Sequence, residues 1–210
     1  MAFVHPSPGW VQSYTEMQSL GLERGARGVA ATVGHFALVA YIPDPLAQFL
    51  DALRVELTPD CNPHAHVTIL PPRPITDDLK DTVAQLAEDM RGVAPFRAEL
   101  GDVGIFRESS VLYIALQSGE EKLRRLYGDL NNGCVLYREN YPYHPHVTIG
   151  QNLEPGEVEK KAALAQARWK AWTGPRGFMV STLSFVQQVA PGIWADVAAL
   201  PLGVGVPVAG

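Results

Sequence analysis

The sequence predicts one globular domain that mixes helices and strands and is built from two related halves. Its 210 residues, 47% apolar and 19% charged, have the composition of a folded protein with a sizeable core. A series of strand, helix, strand, helix and strand occurs twice along the chain. The middle strand of each series contains the same His-Val-Thr-Ile pattern, beginning at His66 in the first and at His146 in the second. Two copies of one series predict two lobes related by a pseudo-twofold axis.

The first series begins with an apolar run. Residues 36–42 predict a buried strand, because the run is unbroken and is followed directly by Pro43. Asp44 and Pro45 predict the start of a helix, since an N-cap side chain followed by a proline favours one. The elements of this series are the strand at 36–42, a helix with apolar residues from Leu46 to Leu57, the first histidine strand, a helix with apolar residues from Leu79 to Met90, and a strand at 96–106.

The second series has its own helix-start signals. Ser118 and Glu121 form a capping-box pattern, which predicts that a helix begins there. Pro155 predicts the start of the last helix. The elements are a strand at 111–117, a helix through Leu130, the second histidine strand, a helix with Trp169 and Trp172 as core residues, and strands at 177–189 and 193–200.

The two-lobed domain is expected at residues 35–202, between two flanking segments. We expect residues 1–34 to form an N-terminal extension and residues 203–210 a loose tail, because neither has a helical or strand period. Charged residues interrupt the N-terminus, which argues against a secretory signal, and no apolar run is long enough to cross a membrane. Cys61 and Cys134 are expected to be reduced thiols. The sequence therefore predicts a cytoplasmic protein with no membrane partner.

The charge of the chain limits its partners. The formal net charge is −5, so no global positive field is expected to hold a nucleic-acid duplex by its phosphates. A small phosphate ester or the end of an RNA strand needs only a local site and stays compatible with this charge.

The repeated pattern places two polar residues on one face of each histidine strand. Alternate side chains of a strand point to the same face, so His66 and Thr68 share a face, and His146 and Thr148 do the same. A buried polar group costs free energy unless it is hydrogen-bonded, so a packed core gains nothing from this repeat. Two lobes related by a pseudo-twofold axis would bring the two faces together across a cleft.

Two His-Thr pairs across a cleft suit the transfer of a phosphoryl group. Histidine titrates near neutrality, so one imidazole can accept a proton from the attacking oxygen while the other gives one to the leaving oxygen. The threonine hydroxyls can donate hydrogen bonds to the other phosphate oxygens. The chemistry needs no metal or cofactor, and none is predicted.

The chain contains two His-x-Thr-x motifs, His66-Val67-Thr68-Ile69 and His146-Val147-Thr148-Ile149. They resemble the motifs of the 2H phosphoesterase superfamily, which includes the bacterial RNA 2′-5′ ligases and cyclic phosphodiesterases. The resemblance runs from about residue 36 to 202 and includes the Gly104-Ile105-Phe106 turn and the strand at 181–185. It implies a bilobed α+β domain with one antiparallel sheet and outer helices in each lobe.

The resemblance also implies roles for the motif residues. His66 and His146 would be the acid and the base, and Thr68 and Thr148 would hold the phosphate. The implied reaction is cleavage of a 2′,3′-cyclic or 2′-5′ phosphodiester in an RNA end or a nucleotide.

Several residues near the motifs have two interpretations. Tyr143, with Tyr141, either lines the cleft and stacks on a base or packs beneath its own loop. Arg73 either binds a phosphate or is an exposed arginine in a proline-rich loop. His64 and His144 are expected at the edge of the cleft or in solvated turns rather than in a catalytic role.

Two other functions remain open from the sequence. The same cleft could recognise a nucleotide or an RNA end without turning it over. Alternatively, the two His-x-His pairs could hold a metal ion in a hydrolase, although neither motif contains a carboxylate or cysteine to complete the ligand set.

Overall fold

The computed structural model describes residues 34–59, 61–62, 64–74, 77–190 and 192–203. Apart from Gly34 and Gly203, the predicted N-terminal extension and C-terminal tail lie outside these residues and stay predictions. Within them the chain forms eight strands and four α-helices. In chain order these are β1 (His35–Tyr41), α1 (Leu46–Leu57), β2 (His66–Pro74), α2 (Leu79–Asp89), β3 (Phe96–Phe106), β4 (Val111–Ser118), α3 (Glu120–Leu130), a 3-10 turn (Gly133–Val135), β5 (His146–Gly150), α4 (Val158–Ala171), β6 (Gly177–Val180), β7 (Thr182–Ala190) and β8 (Ile193–Pro201).

The strands form two antiparallel four-stranded sheets, which confirms the predicted α+β class. The strand order is β2-β1-β7-β8 in the first sheet and β5-β4-β3-β6 in the second. The two histidine strands, β2 and β5, occupy the same edge position in their respective sheets. The two sheets are therefore related as the repeated series predicted.

The two series exchange strands between the sheets. Strand β3 ends the first series but pairs with β4 and β6 of the second sheet. Strand β7 follows the second series but pairs with β1 of the first sheet. Each sheet therefore contains strands from both halves of the chain.

The helices connect the lobes through one shared core. Helix α1 of the first half contacts β5, and α3 of the second half contacts β2. Residues of both lobes pack in a single apolar cluster, among them the fully buried Leu57, Ile69, Leu130 and Ile149. Each histidine strand is thus supported by a helix from the opposite half.

Three predicted helix starts differ from the structure. Ser118 is the last residue of β4, and α3 is preceded by Gly119 in a left-handed conformation with φ of 83°. A Cβ atom at Gly119 would lie 3.0 Å from the Ala98 Cα atom, so only glycine fits this turn. Helix α1 has no side-chain cap at Pro45, and α4 begins at Val158 rather than at Pro155.

The predicted strand at 177–189 is two strands. It divides at Ser181, with β6 in the second sheet and β7 in the first. A continuous β-rich run of residues does not show where the chain passes from one sheet to the other. Among the described residues, none of the helices has the length and apolarity to span a membrane.

Candidate active site

The two His-Thr pairs lie on adjacent strands. In β2, Val67 and Ile69 are buried while His66 and Thr68 are partly exposed, and β5 shows the same alternation. Strands β2 and β5 contact each other, and His146 is close enough to His66 to lower its pKa. The fold therefore brings the two repeats together at the junction of the sheets.

Each motif histidine is oriented by a main-chain carbonyl two residues earlier. The Nδ1 atom of His66 lies 2.6 Å from the His64 carbonyl oxygen, and that of His146 lies 2.6 Å from the His144 carbonyl oxygen. A carbonyl can only accept, so Nδ1 must carry the proton in both rings. The neutral rings therefore leave Nε2 as the nitrogen that can take up a proton.

Both imidazoles are biased towards the neutral form. Burial lowers the pKa of His66 to about 4, against a smaller opposing effect of the hydrogen bond to His64. Burial also lowers the pKa of His146, again opposed by its carbonyl partner. Anionic phosphate beside the rings would favour their charged forms and raise both pKa values.

The threonine hydroxyls are available for a ligand. Within the part of the chain that the structure describes, neither the Thr68 nor the Thr148 hydroxyl has a hydrogen-bond partner. Both side chains are partly exposed on the same face as the histidines. Each pair thus offers one titratable nitrogen and one uncommitted donor.

Tyr41 and Asp196 border the first histidine. The Tyr41 ring is stacked on His64 at 3.8 Å and meets His66 edge-on at 6.4 Å. Its hydroxyl donates to Asp196 Oδ1 at 2.7 Å. Burial and the Asp196 carboxylate raise the pKa of Tyr41, so the phenol stays protonated as the donor.

A pair of stacked aromatic rings borders the second histidine. Phe106 and Tyr113 are stacked at 4.1 Å, and their rings lie 4.9 and 5.4 Å from that of His146. A Cβ atom at Gly104 would lie 2.5 Å from the Tyr113 ring, so glycine is needed for this close approach. The two histidines therefore have different neighbours despite the shared motif.

The Tyr143 side chain is packed against its neighbours, which is one of the two placements that the sequence allowed. Its ring is stacked on Tyr127 at 4.3 Å, and its hydroxyl donates to the Thr68 carbonyl oxygen at 2.8 Å. Burial raises the pKa of Tyr143 and keeps the hydroxyl protonated. The side chain joins the segment before β5 to the strand that carries the first motif.

Arg73 is not the exposed loop arginine of one interpretation, and its donors are occupied within the protein rather than open to a phosphate, as the other interpretation required. Arg73 lies in β2 with only 1% of its side chain exposed. Its guanidinium donates to the Pro71 and Val135 carbonyl oxygens, to Asn131 Oδ1 and to Glu139 Oε1 at 2.7–3.0 Å. With these donors committed inside the protein, Arg73 serves to hold the 131–139 segment against β2.

Sequence reasoning missed Tyr41, Asp196 and the roles of the His64 and His144 carbonyls. Tyr41 is opposite His66 in the β1–β2 pairing, and this register is not visible before the strands are paired. The His-x-His spacing is visible in the sequence, but the contact to each motif histidine comes from the main-chain oxygen of His64 or His144 rather than from its ring. Among the described residues, no group of three or more His, Cys, Asp or Glu side chains is placed to hold a metal ion.

A sequence model described as the 2′-5′ RNA ligase superfamily matches residues 42–191, which include both histidine motifs. The chain belongs to this superfamily. A relative from Halalkalibacterium halodurans that carries the name "Putative phosphoesterase" is 26% identical over 175 residues, which cover 79% of this chain and 96% of the relative. The superfamily assignment thus rests on most of the described domain.

Solved structures share the fold. Escherichia coli LigT in complex with NADP+ has a TM-score of 0.57 at 17% identity, covering 81% of this chain and 99% of LigT. Usb1 from Kluyveromyces marxianus has a TM-score of 0.53 at 13% identity, covering 80% of this chain and 98% of Usb1. These likenesses support the same arrangement of two sheets in this superfamily member.

Proposed function

We propose that the protein is a metal-independent phosphodiesterase that cleaves 2′,3′-cyclic or 2′-5′ phosphodiesters in nucleotides or RNA ends. The observation that carries this proposal is the matched pair of imidazoles, each held through Nδ1 by a carbonyl, beside two uncommitted threonine hydroxyls. Superfamily membership and the phosphoesterase name of a relative support the reaction class. LigT has been crystallised with 3′-AMP, NADP+ and ATP, which supports a nucleotide as ligand.

In the proposed hydrolysis of a cyclic phosphate, the two histidines transfer the protons and the two threonines bind the phosphate. The neutral histidine takes a proton from water through Nε2 as the water oxygen bonds to phosphorus. The protonated histidine gives its proton to the ribose oxygen, whose bond to phosphorus breaks. Thr68 and Thr148 donate to the non-bridging oxygens, and the product is a phosphomonoester.

The difference between the two imidazoles favours one division of roles. The pKa of His66 is lowered to about 4, so this ring is neutral over the whole physiological range and suits the base. His146 then acts as the acid in the hydrolytic direction. With an alcohol in place of water, the same two groups join the alcohol to a cyclic phosphate, which is the ligation implied by the superfamily name.

The proposal is tested with the full chain and three substrates: a 2′,3′-cyclic nucleotide, a 2′-5′ dinucleotide and a 3′-5′ dinucleotide as the control. We expect turnover of the first two, with and without a chelator. His66→Ala and His146→Ala should each lower the rate by about 10²–10⁴-fold, the range for a positioned acid or base.

His35→Gln is the matched control for these variants. His35 begins β1 and pairs with Pro74, whereas Tyr41, at the other end of the strand, pairs with His66. Its replacement should leave the rate unchanged. Binding of cyclic nucleotide without product would identify a binding module, and loss of activity with chelator would identify a metal enzyme; either result refutes the proposal.

A further inference from the structure

A groove of about 650 Å³ lies beside the motif strands, between the C-terminal part of α3 and the segment that leads to β5. We call it the tyrosine groove and define it by Tyr127, Tyr137, Arg138, Tyr141 and Tyr143, which all line it. The stacked Tyr127 and Tyr143 rings form part of its wall. The proposed phosphodiester chemistry uses none of these side chains.

Exposed apolar side chains are concentrated in this segment. The large hydrophobic residues that are exposed in the described chain are Val55, Leu136, Tyr137, Tyr141, Met179 and Ile193. Half of them fall within 136–141, and Tyr141 is the most exposed of all at 71%. Aromatic rings left open to water in a concave surface are typical of a ligand site.

The groove also has an uncommitted positive charge. Arg138 is exposed and, within the described residues, has neither a hydrogen bond nor an ion pair. Glu139, the acidic residue next to it, is paired with the buried Arg73. An exposed tyrosine and an unpaired guanidinium that line one groove match a nucleotide, with the ring for the base and the cation for the phosphate.

One side chain of the groove contacts the strand that carries the first motif. Tyr143 lines the groove and donates to the Thr68 carbonyl oxygen of the first motif. Tyr141 precedes His144 by three residues in the sequence, so their Cα atoms are at most about 11 Å apart. An RNA chain whose terminal phosphate lies at the two motifs would reach the groove within a few nucleotides.

We propose that the tyrosine groove binds single-stranded RNA next to the reacting phosphate, so that the substrate is an RNA end rather than a free nucleotide. One base stacks on Tyr141 and a phosphate of the chain contacts Arg138. This inference rests on the proposed function. The net charge of −5 fits a short local contact of this kind and not the binding of a duplex.

The test compares two substrates that share the reacting group. One is a 2′,3′-cyclic mononucleotide, which has no second nucleotide to place in the groove, and the other is an oligoribonucleotide ending in a 2′,3′-cyclic phosphate. Tyr141→Ala should lower kcat/KM for the oligonucleotide by about 5- to 150-fold, the range for loss of one base–aromatic stack. The same variant should leave kcat/KM for the mononucleotide unchanged.

Arg138→Ala adds a salt-dependent readout. Loss of one phosphate contact should reduce the slope of log affinity against log salt concentration by about 0.7 for a single strand. Ile193→Ala and Arg91→Ala are the matched controls, because Ile193 is exposed on β8 and Arg91 follows α2, both outside the groove. Neither control should affect either substrate.

Binding to an inactive protein separates this inference from the proposed function. In a His146→Ala background, we measure the affinity for a labelled oligoribonucleotide that ends in a 3′-phosphate, with and without Tyr141→Ala. A loss of affinity on Tyr141→Ala supports the groove, even if neither cyclic substrate is turned over by the parent protein. Unchanged affinity, or equal effects on both cyclic substrates, overturns it. An oligomer that becomes monomeric on Tyr141→Ala while RNA affinity is unchanged would identify an interface between copies and also overturn it.

Discussion

Arg73→Met tests whether one buried cation holds the segment before the second motif in place. The guanidinium is 1% exposed, and Glu139, 66 residues further along the chain, is its ionic partner. It also donates to Asn131 and Val135. Methionine has a similar length but no donor, so the substitution leaves these acceptors without their partner.

The expected cost follows from the burial of the pair. Removal of one partner of a buried ion pair costs about 3–5 kcal/mol. Since the Glu139 side chain is 17% exposed, water can partly hydrate its carboxylate, and we expect the low end, about 3 kcal/mol. With a urea dependence of about 2 kcal/mol per M, the unfolding midpoint should fall by about 1.5 M.

The assay is urea unfolding of Arg73→Met, Glu139→Gln and the double variant. The double variant should be less destabilised than the sum of the single variants by about 1–3 kcal/mol, since the uncompensated charge is gone. Arg91→Met is the control, because the Arg91–Glu88 pair is on the surface and should contribute at most about 1 kcal/mol. An unchanged midpoint for Arg73→Met, or additive effects, would refute the assigned role.

Three further predictions concern the reaction. The pH profile of kcat/KM should be bell-shaped with both limbs below about pH 6.5, because burial lowers the pKa of His66 to about 4 and also lowers that of His146. Above the second limb, kcat/KM should fall about tenfold per pH unit. Two limbs above pH 7 would contradict this assignment. Thr68→Val and Thr148→Val should each lower kcat by up to about 10²–10³-fold without changing the limbs, and parent rates in both folded variants would show that other groups hold the phosphate. Tyr41→Phe removes the donor to Asp196 while keeping the ring, so the rate with a cyclic nucleotide should fall by less than in the threonine variants; a loss as large as in His66→Ala would mean that the phenol itself takes part in the reaction.

The alternation of the histidine strands was predictable from sequence because it depends only on neighbouring residues. A strand has a period of two, so Val67 and Ile69 are buried whichever strand lies beside them. The same local argument placed His66 and Thr68 on one partly exposed face, as the structure shows. Duplication of the pattern then predicted two equivalent lobes.

The surroundings of the motifs depend on distant residues and could not be predicted in this way. The proline-rich context of Arg73 indicated a loop, but its partner Glu139 lies in the other half of the chain. Tyr41 meets Asp196 across 155 residues, and no periodicity relates the two. Capping patterns failed for a similar reason, since the pairing of β4 extends through Ser118, the residue expected to cap α3.

The exchange of β3 and β7 between the sheets makes the molecule hard to divide. A chain cut in the turn between β3 and β4 would leave the first fragment without β7 and β8, and the second without β3. Each fragment would keep its histidine strand and the neighbouring strand, but it would lack two of the three strand pairings of its sheet. Completion of either sheet therefore requires contacts between distant parts of the sequence, which are slow to form. Each imidazole therefore lies on a complete sheet only when strands from the other half of the chain are also in place.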